Sequence, residues 1–327
     1  MGRTGSTPHL VTAAPLSSRL RRLPARLVLV AVTAALLVGG ALRPAGAQTR
    51  VLHLGDGTVT LRGGYGSIAY FENFDGVVNG VTIHAHGGTS APAYDLGMTF
   101  EQPLSDPWSV AVVADWIATG LIQEPYTLHE DNFPSGGTTT LDQSNQQRQS
   151  LSLLNGDLRI AYQLRPSDLS LFVLGGYRSA STVYSGGTFT ATTCTGSPPS
   201  CSNSAGGLTG GTETFQSVAL GAGAKLRWTA GLWTGALEAH YAALPSISIA
   251  NNFAVPGQVT TLTTSGTEWG LGLTGERALS AAWSLTLGVG ATWTNIAGTP
   301  TSAATFFPGG GWAAYNASVG ATYWFER

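Results

Sequence analysis

Residues 232–243, LWTGALEAHYAA, decide the fold. Apolar Trp233 and Tyr241 share one parity, and polar Glu238 and His240 share the other. Neighbouring side chains of a β-strand point to opposite sides, so this period of two indicates a strand with one apolar and one polar face. An amphipathic helix would instead repeat its apolar residues every three or four positions.

The same alternation recurs from residue 58 onward and predicts ten strands. Their connections are alternately long and short, and the short ones read QPLSDP, RPSD, TAG and SAA. This sorting is typical of a transmembrane up-and-down antiparallel β-barrel with short periplasmic turns and long extracellular loops, whereas a β-sandwich has no reason to sort its loops. Eight strands with elaborated loops, or twelve if VVNGVTIHAH forms a hairpin within the barrel, are the alternatives. The predicted strands lie near residues 58–72, 91–101, 108–119, 150–165, 169–182, 213–228, 232–245, 266–277, 282–295 and 312–325, and the long loops near 73–90, 120–149, 183–212, 246–265 and 296–311.

Aromatic residues on the apolar faces cluster at both ends of the predicted strands. Trp108 and Trp116 are eight residues apart, and Trp283 and Trp293 are ten apart. With a rise of about 3.3 Å per residue and a tilt near 40°, such pairs lie roughly 20–25 Å apart along the membrane normal, which matches the distance between the aromatic girdles of an outer-membrane barrel. The predicted girdle residues are Tyr94, Phe100, Trp108, Trp116, Tyr162, Tyr177, Trp228, Trp233, Tyr241, Trp269, Trp283, Trp293, Tyr315, Tyr323 and Phe325.

The chain begins with a predicted secretory signal peptide, residues 1–47. Several arginines precede an uncharged apolar run at residues 27–42, and the triplet AGA, which ends at Ala47, follows. This order of basic, apolar and small residues is that of an export signal cleaved after Ala47. A retained membrane anchor is the alternative, although the apolar run falls short of the roughly 20 residues that a spanning helix needs. Residues 48–57 then form a short segment before a barrel of residues 58–327.

Charge and composition exclude a nucleic-acid partner. Only 10% of the residues are charged and 44 are glycine, which is unlike the surface of an ordinary soluble domain. Removal of the signal peptide takes away six of the 16 basic residues and none of the 18 acidic ones, so the mature chain carries a net charge of −8. A polyanion would be repelled by such a chain.

The predicted last strand ends in SVGATYWFER. Ser318 and Gly320, followed by Tyr323 and Phe325 at alternate positions, resemble the C-terminal β-signal of Gram-negative outer-membrane β-barrel proteins. Together with the export signal and the strands, this motif makes nearly the whole chain resemble that class. The resemblance implies a bacterial outer-membrane location, contact with outer-membrane lipid, insertion by the barrel-insertion machinery through this strand, and a monomer.

The two cysteines, Cys194 and Cys201, lie in the stretch TCTGSPPSCSNS. In an exported chain, two cysteines separated by six turn-forming residues are expected to close a small disulfide loop. A metal site is the alternative, but it would require more ligands nearby, and none of the six histidines lies in this stretch.

Charged residues collect on the inward-facing parity of the predicted strands. Buried charges persist only when they are paired or hydrated, so acidic and basic side chains are expected to interlock across the lumen. Ten strands lie near the limit at which side chains fill the interior, and Phe172 also points inward. Inward glycines such as Gly270 and Gly288 leave room on one side. The predicted network comprises Arg62, Asp95, Glu101, Asp115, Asp157, Arg159, Arg178, Lys225, Arg227, Glu238, His240, Glu268 and Glu276.

The favoured function is that of a largely filled, ion-paired barrel that acts through its long loops in binding, adhesion or envelope protection. The loops are rich in Ser, Thr, Asn and Gly, a composition suited to polar contacts with an extracellular ligand that the sequence does not identify. A narrow, weakly cation-preferring pore is the second hypothesis, because the chain and its lumen are acidic. No cofactor is expected.

An enzyme is the third hypothesis. Omptin proteases are ten-stranded barrels of similar length with an Asp–His couple at the extracellular rim. Here Glu238 and His240 lie two apart on one face and Asp115 lies on another strand, so a carboxylate could orient a general base. Glutamate replaces the aspartate, however, and His240 lies partway down its strand. A role in the ion-pair network is therefore favoured, and no catalytic residue is assigned.

Two histidine-containing stretches outside the predicted strands could bind a metal ion weakly. One is HAH at His84–His86, and the other is LHEDN, which contains His129, Glu130 and Asp131. Both are expected to be solvated loop residues, and no metal site is assigned.

Overall fold

A computed structural model describes residues 57–78, 81–132, 139–164, 168–196, 198–255, 258–299, 307 and 309–325. Within these ranges the chain is all-β and forms one antiparallel sheet of twelve strands without helices. No helix in this part of the chain has the length and apolarity to span a membrane. The predicted signal peptide, and all of the segment after it except Gly57, lie outside the described residues.

The strands run up and down along the chain. They are β1 (Gly57–Val78), β2 (Val81–Ser105), β3 (Trp108–Thr119), β4 (Ile122–Asn132), β5 (Thr139–Leu164), β6 (Leu169–Thr195), β7 (Ser200–Leu208), β8 (Gly211–Ala230), β9 (Trp233–Val255), β10 (Gln258–Ala278), β11 (Trp283–Ile296) and β12 (Gly310–Phe325). The predicted short connections join β2 to β3, β5 to β6, β8 to β9 and β10 to β11, and we call their end of the sheet the lower end.

Each of the ten predicted strands corresponds to one observed strand, but the prediction of long loops is wrong at four of five places. Most described residues of 73–90, 120–149, 183–212 and 246–265 belong to strands that extend the upper end of the sheet. Most of these stretches lack the sustained apolar alternation that identified the other strands, although Ile247 and Ile249 alternate within 246–265. Their many threonines nevertheless favour a strand.

Two additional strands, β4 and β7, raise the count from the predicted ten to twelve. After a break at Gly120 and Leu121, β4 pairs with β2 and β5, which are also the neighbours of β3. Similarly, β7 precedes β8 and both pair with β6. Strand β4 therefore continues β3 further along the same two neighbours, and β7 continues β8 along β6 in the same way. The prediction missed them because both lie in stretches that it assigned to loops.

Each of the other ten strands pairs with two others of these ten. β1 pairs with β2 and β12, and β2 also pairs with β3. The pairings then run from β3 to β5, β6, β8, β9, β10, β11 and β12. Between β1 and β12 the register is uninterrupted from Gly57 opposite Phe325 to Glu72 opposite Gly310.

The two faces of the sheet differ in exposure. On β1, Leu61 and Tyr65 are more than half exposed, whereas Ile68 and Tyr70, on the other parity, are buried. We call the exposed apolar side the outer face and the other side the inner face. Because apolar patches of soluble monomers rarely exceed a few hundred Å², an outer face with this many large exposed apolar side chains needs a partner or a lipid environment.

Candidate functional site on the inner face

Aromatic rings meet in pairs at two levels of the outer face. We call these levels the lower band and the upper band. Ring pairs of this kind, with centroids 4.5–7 Å apart, attract each other beyond their shared burial. In the lower band the ring centroids are separated by 4.9 Å for Trp108–Tyr162, 5.0 Å for Trp283–Tyr323 and 6.0 Å for Phe100–Phe325. In the upper band they are separated by 4.5 Å for Tyr241–Trp269, 5.7 Å for Tyr65–Tyr94 and 5.9 Å for Trp293–Tyr315.

The remaining predicted girdle residues also lie on the outer face. Trp116 and Tyr177 are exposed at the level of the upper band. Trp228 and Trp233 are half-buried because each indole lies across a glycine of the neighbouring strand, where a Cβ would collide with Trp228 or touch Trp233. The glycine on the neighbour lets the large ring lie flat on the sheet.

The predicted charged network lies on the inner face. Ten of its thirteen members form ion pairs, and an eleventh, His240, lies beside Glu268. Two of the groups are separate from the rest. In the first, Arg62 pairs with Asp115. In the second, Glu101 Oε2 lies 3.1 Å from Lys225 Nζ and its Oε1 lies 2.6 Å from Arg227 Nη2. One carboxylate therefore holds two cations together across the inner face.

A third group of ion pairs crosses the inner face at the level of the upper band. Arg178 is 4% exposed and donates to Glu268 through Nε (2.9 and 3.0 Å) and Nη2 (2.8 Å). Its Nη1 donates to Asp157 at 2.6 Å. Arg159 joins Asp157 (3.1 Å) to Glu238 (2.7 Å) and covers the ring of Phe172 with its guanidinium. The sheet is therefore tied across its interior by paired charges, which are tolerated there because each has an opposite partner. Among the described residues, the buried Arg159 Nε has no hydrogen-bond partner.

The other two members of the predicted network are held by hydrogen bonds. Asp95 accepts one from Asn316 Nδ2. Glu276 Oε1 accepts one of 3.1 Å from Trp324 Nε1, which also donates to Ser284 Oγ at 2.9 Å. Trp324 therefore lies on the inner face, although its neighbours Tyr323 and Phe325 belong to the lower band. Asp95 and Glu276 are thus hydrogen-bonded to uncharged donors among the described residues, whereas the prediction expected each to pair with a basic side chain.

A large cavity fills the lower part of the inner side. Its volume is about 2310 Å³, and it reaches the short connections at Pro107, Gly231 and Ala281. Gly270 and Gly288 line it, but the predicted room beside them is taken up, because a Cβ at Gly270 would collide with the His240 ring and one at Gly288 would collide with Ser318 Oγ. Ten of the thirteen predicted charged residues line it, whereas Asp157, Arg178 and Glu268 lie beyond its lining. The cavity therefore has a charged wall and a mouth at the lower end.

Apolar side chains close the inner side above the third group of ion pairs. Phe215 is 2% exposed, and its ring centroid lies 5.5 Å from that of Phe307 and 5.8 Å from that of Trp312. Phe307 reaches this position from the connection between β11 and β12, where its N–H donates to Thr299 Oγ1 at 2.8 Å. We call the buried apolar side chains at this level the upper plug: Ile68, Tyr70, Leu151, Leu153, Phe215, Leu244, Ile247, Ile249, Phe307 and Trp312.

A buried acidic pair, Glu72 and Glu213, lies beside the upper plug. Tyr70 donates a hydrogen bond to Glu72, and Asn251 Nδ2 donates to Glu213 Oε1 at 3.4 Å. These groups lie beyond the upper band, since Glu72 is seven residues past Tyr65 on β1. Burial raises the pKa of the Glu72 carboxyl to about 7. Burial, and then the neighbouring charge of Glu72, raise the pKa of Glu213 as well. Burial therefore favours the uncharged, protonated form of both carboxyls.

His240, the residue considered as a general base, is built into the wall. Its Nε2 lies 3.4 Å from Glu268 Oε1, and the ring lies against Gly270, where a Cβ would collide with it. Glu238, the proposed partner, instead binds Arg159, and Asp115 binds Arg62. The structure therefore does not join Glu238, His240 and Asp115 in one constellation.

Cys194 and Cys201 are joined by a disulfide at the hairpin between β6 and β7, where they face each other in register. His84 and His129 lie in strands β2 and β4, so the prediction that they are loop residues is wrong. Among residues whose side chains are described, no group of three or more His, Cys, Asp or Glu side chains is arranged to hold a metal ion.

Sequence reasoning missed the acidic pair and the apolar plug above it. Glu72 was the last residue of a predicted strand, Glu213 was the first of another, and Phe307 lay in a predicted loop. Glu72 and Glu213 are 141 positions apart, so only the strand order could reveal that they meet. A usable signal was present in Ile247 and Ile249, whose alternation within PSISIAN indicates a strand with a buried face.

Comparisons with known proteins add only weak likenesses. No family model matches the chain, and no curated protein matches it significantly. Three solved structures are similar to it in part: the outer membrane protease OmpT from Escherichia coli, the translocator domain of the autotransporter NalP from Neisseria meningitidis, and the outer membrane protein OprG from Pseudomonas aeruginosa. Identities are 12%, 11% and 12%, and TM-scores are 0.47, 0.34 and 0.26. The alignments cover 83%, 94% and 84% of this chain and 97%, 99% and 98% of the other chains. At these scores the likenesses carry no argument about function.

Proposed function

We propose that this protein is an integral β-barrel of the bacterial outer membrane whose lumen is closed at the upper end and which acts through its upper strand extensions. The main support for this proposal is the composition of the outer face. Its exposed apolar side chains lie between two bands of paired aromatic rings, and its charged residues are gathered on the inner face. A lipid bilayer stabilises both features, because contact with lipid is favourable for exposed apolar side chains and unfavourable for charged ones.

The strand pairings support closure into ten barrel positions. Ten strands have two neighbours each, and the β1–β12 pairing joins the first strand to the last over 16 register positions. In this count, β3 and β4 together fill one position of the barrel, and β7 and β8 together fill another. Closure pairs both edges of these ten strands, which is required of a sheet in lipid because an unpaired edge cannot hydrogen-bond to water there.

The layers of the inner side support a closed lumen rather than an open channel. A cavity with a charged lining at the lower end is followed by paired charges and then by the apolar upper plug. Ions do not cross a dry apolar constriction readily. The protein is therefore expected to present its extended upper hairpins to binding partners and to conduct little. A narrow pore is the second candidate, and the size of the glycine-lined cavity favours it.

Planar-bilayer recording tests the closed lumen. The wild-type protein, folded in detergent and checked by heat-modifiable gel mobility, is expected to give no ohmic steps. A Phe215→Ala/Trp312→Ala variant removes two rings of the plug and is expected to conduct. Trp324→Ala is the matched control, because Trp324 lines the cavity below the plug. Equal conductance steps from the wild type and the double variant would establish the pore instead.

Surface labelling tests the orientation. Both native cysteines are in the disulfide, so a single introduced cysteine reports its own accessibility. In intact cells, an impermeant maleimide is expected to label Ser144→Cys, at an exposed position of the upper end, and not Ser280→Cys, in an exposed short connection. The reverse pattern, or labelling of both variants, would overturn the proposed insertion.

A further inference from the structure

Strand β7 has a pairing partner on one side only. It pairs with β6 from Ser200 to Leu208, whereas each of the other eleven described strands pairs with at least two neighbours. Among the described residues, none makes a backbone hydrogen bond to the opposite side of β7. We call this unpaired side the free edge of β7.

The disulfide shows which backbone groups point towards the free edge. Cys194 and Cys201 are register partners, and their Cα atoms are 4.0 Å apart. Partners that exchange backbone hydrogen bonds have Cα atoms about 5.5 Å apart, and partners that do not are about 4.5 Å apart, so Cys201 belongs to the second kind. Its N–H and C=O groups therefore point away from β6. Because the register continues without interruption, the same holds at every second position. The residues whose backbone groups point outward are Cys201, Asn203, Ala205 and Gly207.

No side chain of β7 protects the free edge. Residues 200–207 are exposed, and the strand SCSNSAGGL contains neither a charged residue nor a proline. Native proteins commonly protect an exposed edge with lysine, proline or a bulge, because unpaired N–H and C=O groups invite another strand. The pairing of β7 with β6 has no bulge. The free edge is therefore open to a strand from another molecule.

The free edge lies in water if the barrel is inserted as proposed above. The partners of β7 on β6 begin at Gly187, ten residues beyond Tyr177 at the upper band. This distance corresponds to roughly 25 Å above the band at the usual rise and tilt. An unpaired edge is tolerated at this height, because water can satisfy its backbone groups until a second strand replaces the water.

The free edge is complementary to itself. An antiparallel pairing of two β7 strands about a two-fold axis at Ser204 places Cys201 opposite Gly207 and Asn203 opposite Ala205. Each outward-directed residue then meets an outward-directed residue of the other copy, so their N–H and C=O groups exchange hydrogen bonds. Neither strand carries a charge, so no repulsion between like charges opposes the pairing.

We propose that β7 pairs with β7 of a second copy about this two-fold axis, and that the protein thereby joins two facing membranes. The axis is perpendicular to the strands and reverses their direction, so the two barrels meet with their upper ends together. Barrels in one membrane all point the same way and do not pair in this manner. The orientation rests on the membrane insertion proposed above, whereas the pairing of the two strands does not.

Disulfide cross-linking of the folded protein in detergent tests the pairing. Both native cysteines are already in the disulfide, so Ser204→Cys supplies the free thiol. At the two-fold axis the two copies of this residue have Cα atoms about 4.5 Å apart, which a disulfide can span. Oxidation with copper-phenanthroline is expected to convert this variant to a dimer on a non-reducing gel.

Ser202→Cys is the matched control. Ser202 is also exposed and lies on the same face of β7, but the proposed pairing places it opposite Gly206. The two copies of Ser202 are then roughly 13 Å apart, four residues along the strand, so this variant is expected to remain a monomer. Equal cross-linking of the two variants, or no cross-linking of Ser204→Cys, would overturn the pairing.

Ala205→Pro removes an outward N–H group that the pairing with β6 does not use. Combined with Ser204→Cys, it is expected to slow cross-linking roughly tenfold or more, because each copy loses a backbone hydrogen bond. Ala205→Val keeps the N–H group and has the same number of side-chain carbons as proline, so cross-linking is expected to continue. Equal rates in the proline and valine variants would contradict the hydrogen bonds between the two strands.

Vesicle turbidity tests the joining of membranes. Lipid vesicles that carry the wild-type protein with its upper end outward are expected to aggregate, whereas vesicles that carry Ala205→Pro are expected to stay dispersed. Heat-modifiable mobility and maleimide labelling of Ser144→Cys report folding and insertion separately, so a failure of the proposed insertion is recognised as such. Wild-type vesicles that stay dispersed although the protein is inserted upper end outward would overturn the joining of membranes.

Discussion

Removal of Arg178 is the sharpest test of the buried ion pairs. The Arg178→Met substitution preserves much of the side-chain volume but leaves Glu268 and Asp157 without the guanidinium that binds both. The side chains of the two carboxylates are 3% and 6% exposed, so water cannot replace the lost partner. Breaking a buried ion pair in this way costs about 3–5 kcal/mol. Because Arg178 makes three hydrogen bonds to Glu268 and one to Asp157, we expect a loss of about 4 kcal/mol.

Urea unfolding in detergent, followed by tryptophan fluorescence, measures this loss. With a urea dependence near 3 kcal/mol per molar, the midpoint is expected to fall by about 1 M or more. Arg277→Met is the control, because Arg277 is an exposed arginine on the same strand as Glu268. The Arg178→Met/Glu268→Gln double variant should recover part of the loss, since it removes one unpaired charge. A loss below about 1 kcal/mol for Arg178→Met, or one equal to that of Arg277→Met, would refute the assignment of Arg178 as the central tie.

Three further predictions follow from the plug, the outer face and the disulfide. The pKa of Glu72 is raised from 4.5 to about 7 in the folded protein, so its stabilising contribution is complete below about pH 4.5 and is lost as the pH rises through 7. The loss is about 3 kcal/mol, and Glu72→Gln should flatten this pH dependence in urea unfolding; an equally steep dependence in the variant would contradict the reasoning. In brominated-lipid vesicles, the quenched fraction of tryptophan fluorescence should fall in Trp269→Phe and rise in Trp312→Phe, because Trp269 is 55% exposed on the outer face and Trp312 is buried; equal changes would count against lipid contact. Cys194→Ser/Cys201→Ser should increase proteolytic cleavage in the hairpin between β6 and β7 without changing heat-modifiable mobility, because the closed loop is small and local; loss of the mobility shift would show that the disulfide supports the whole sheet.

The sequence predicts the fold well wherever one face of a strand is apolar. β3 was predicted at its observed bounds of 108–119, and the lower ends of most strands agree within two residues. Alternation carries this information because lipid or core contact selects apolar residues at every second position. The stretch that contains His129 carries polar residues at both parities, and it was therefore assigned to a loop.

The inner face was less predictable than the outer face. Parity identified Arg178 and Glu268 as inward residues, but it could not show that they bind each other across the interior. Such contacts depend on strand order and register, which bring together residues 90 positions apart. The pairing of His84 with His129 was hidden for the same reason, since it depends on the placement of β4 beside β2.

The strand extensions above the upper band change what a binding partner would have to provide. Loose loops must be ordered when they bind, at a cost of roughly 0.5–1.5 kcal/mol for each immobilised flexible side chain, in addition to the backbone entropy. Here β4, β5 and the upper part of β6 are already held by backbone pairing. A partner that docks on them would meet a preorganised surface, and much of its contact energy would appear directly as affinity.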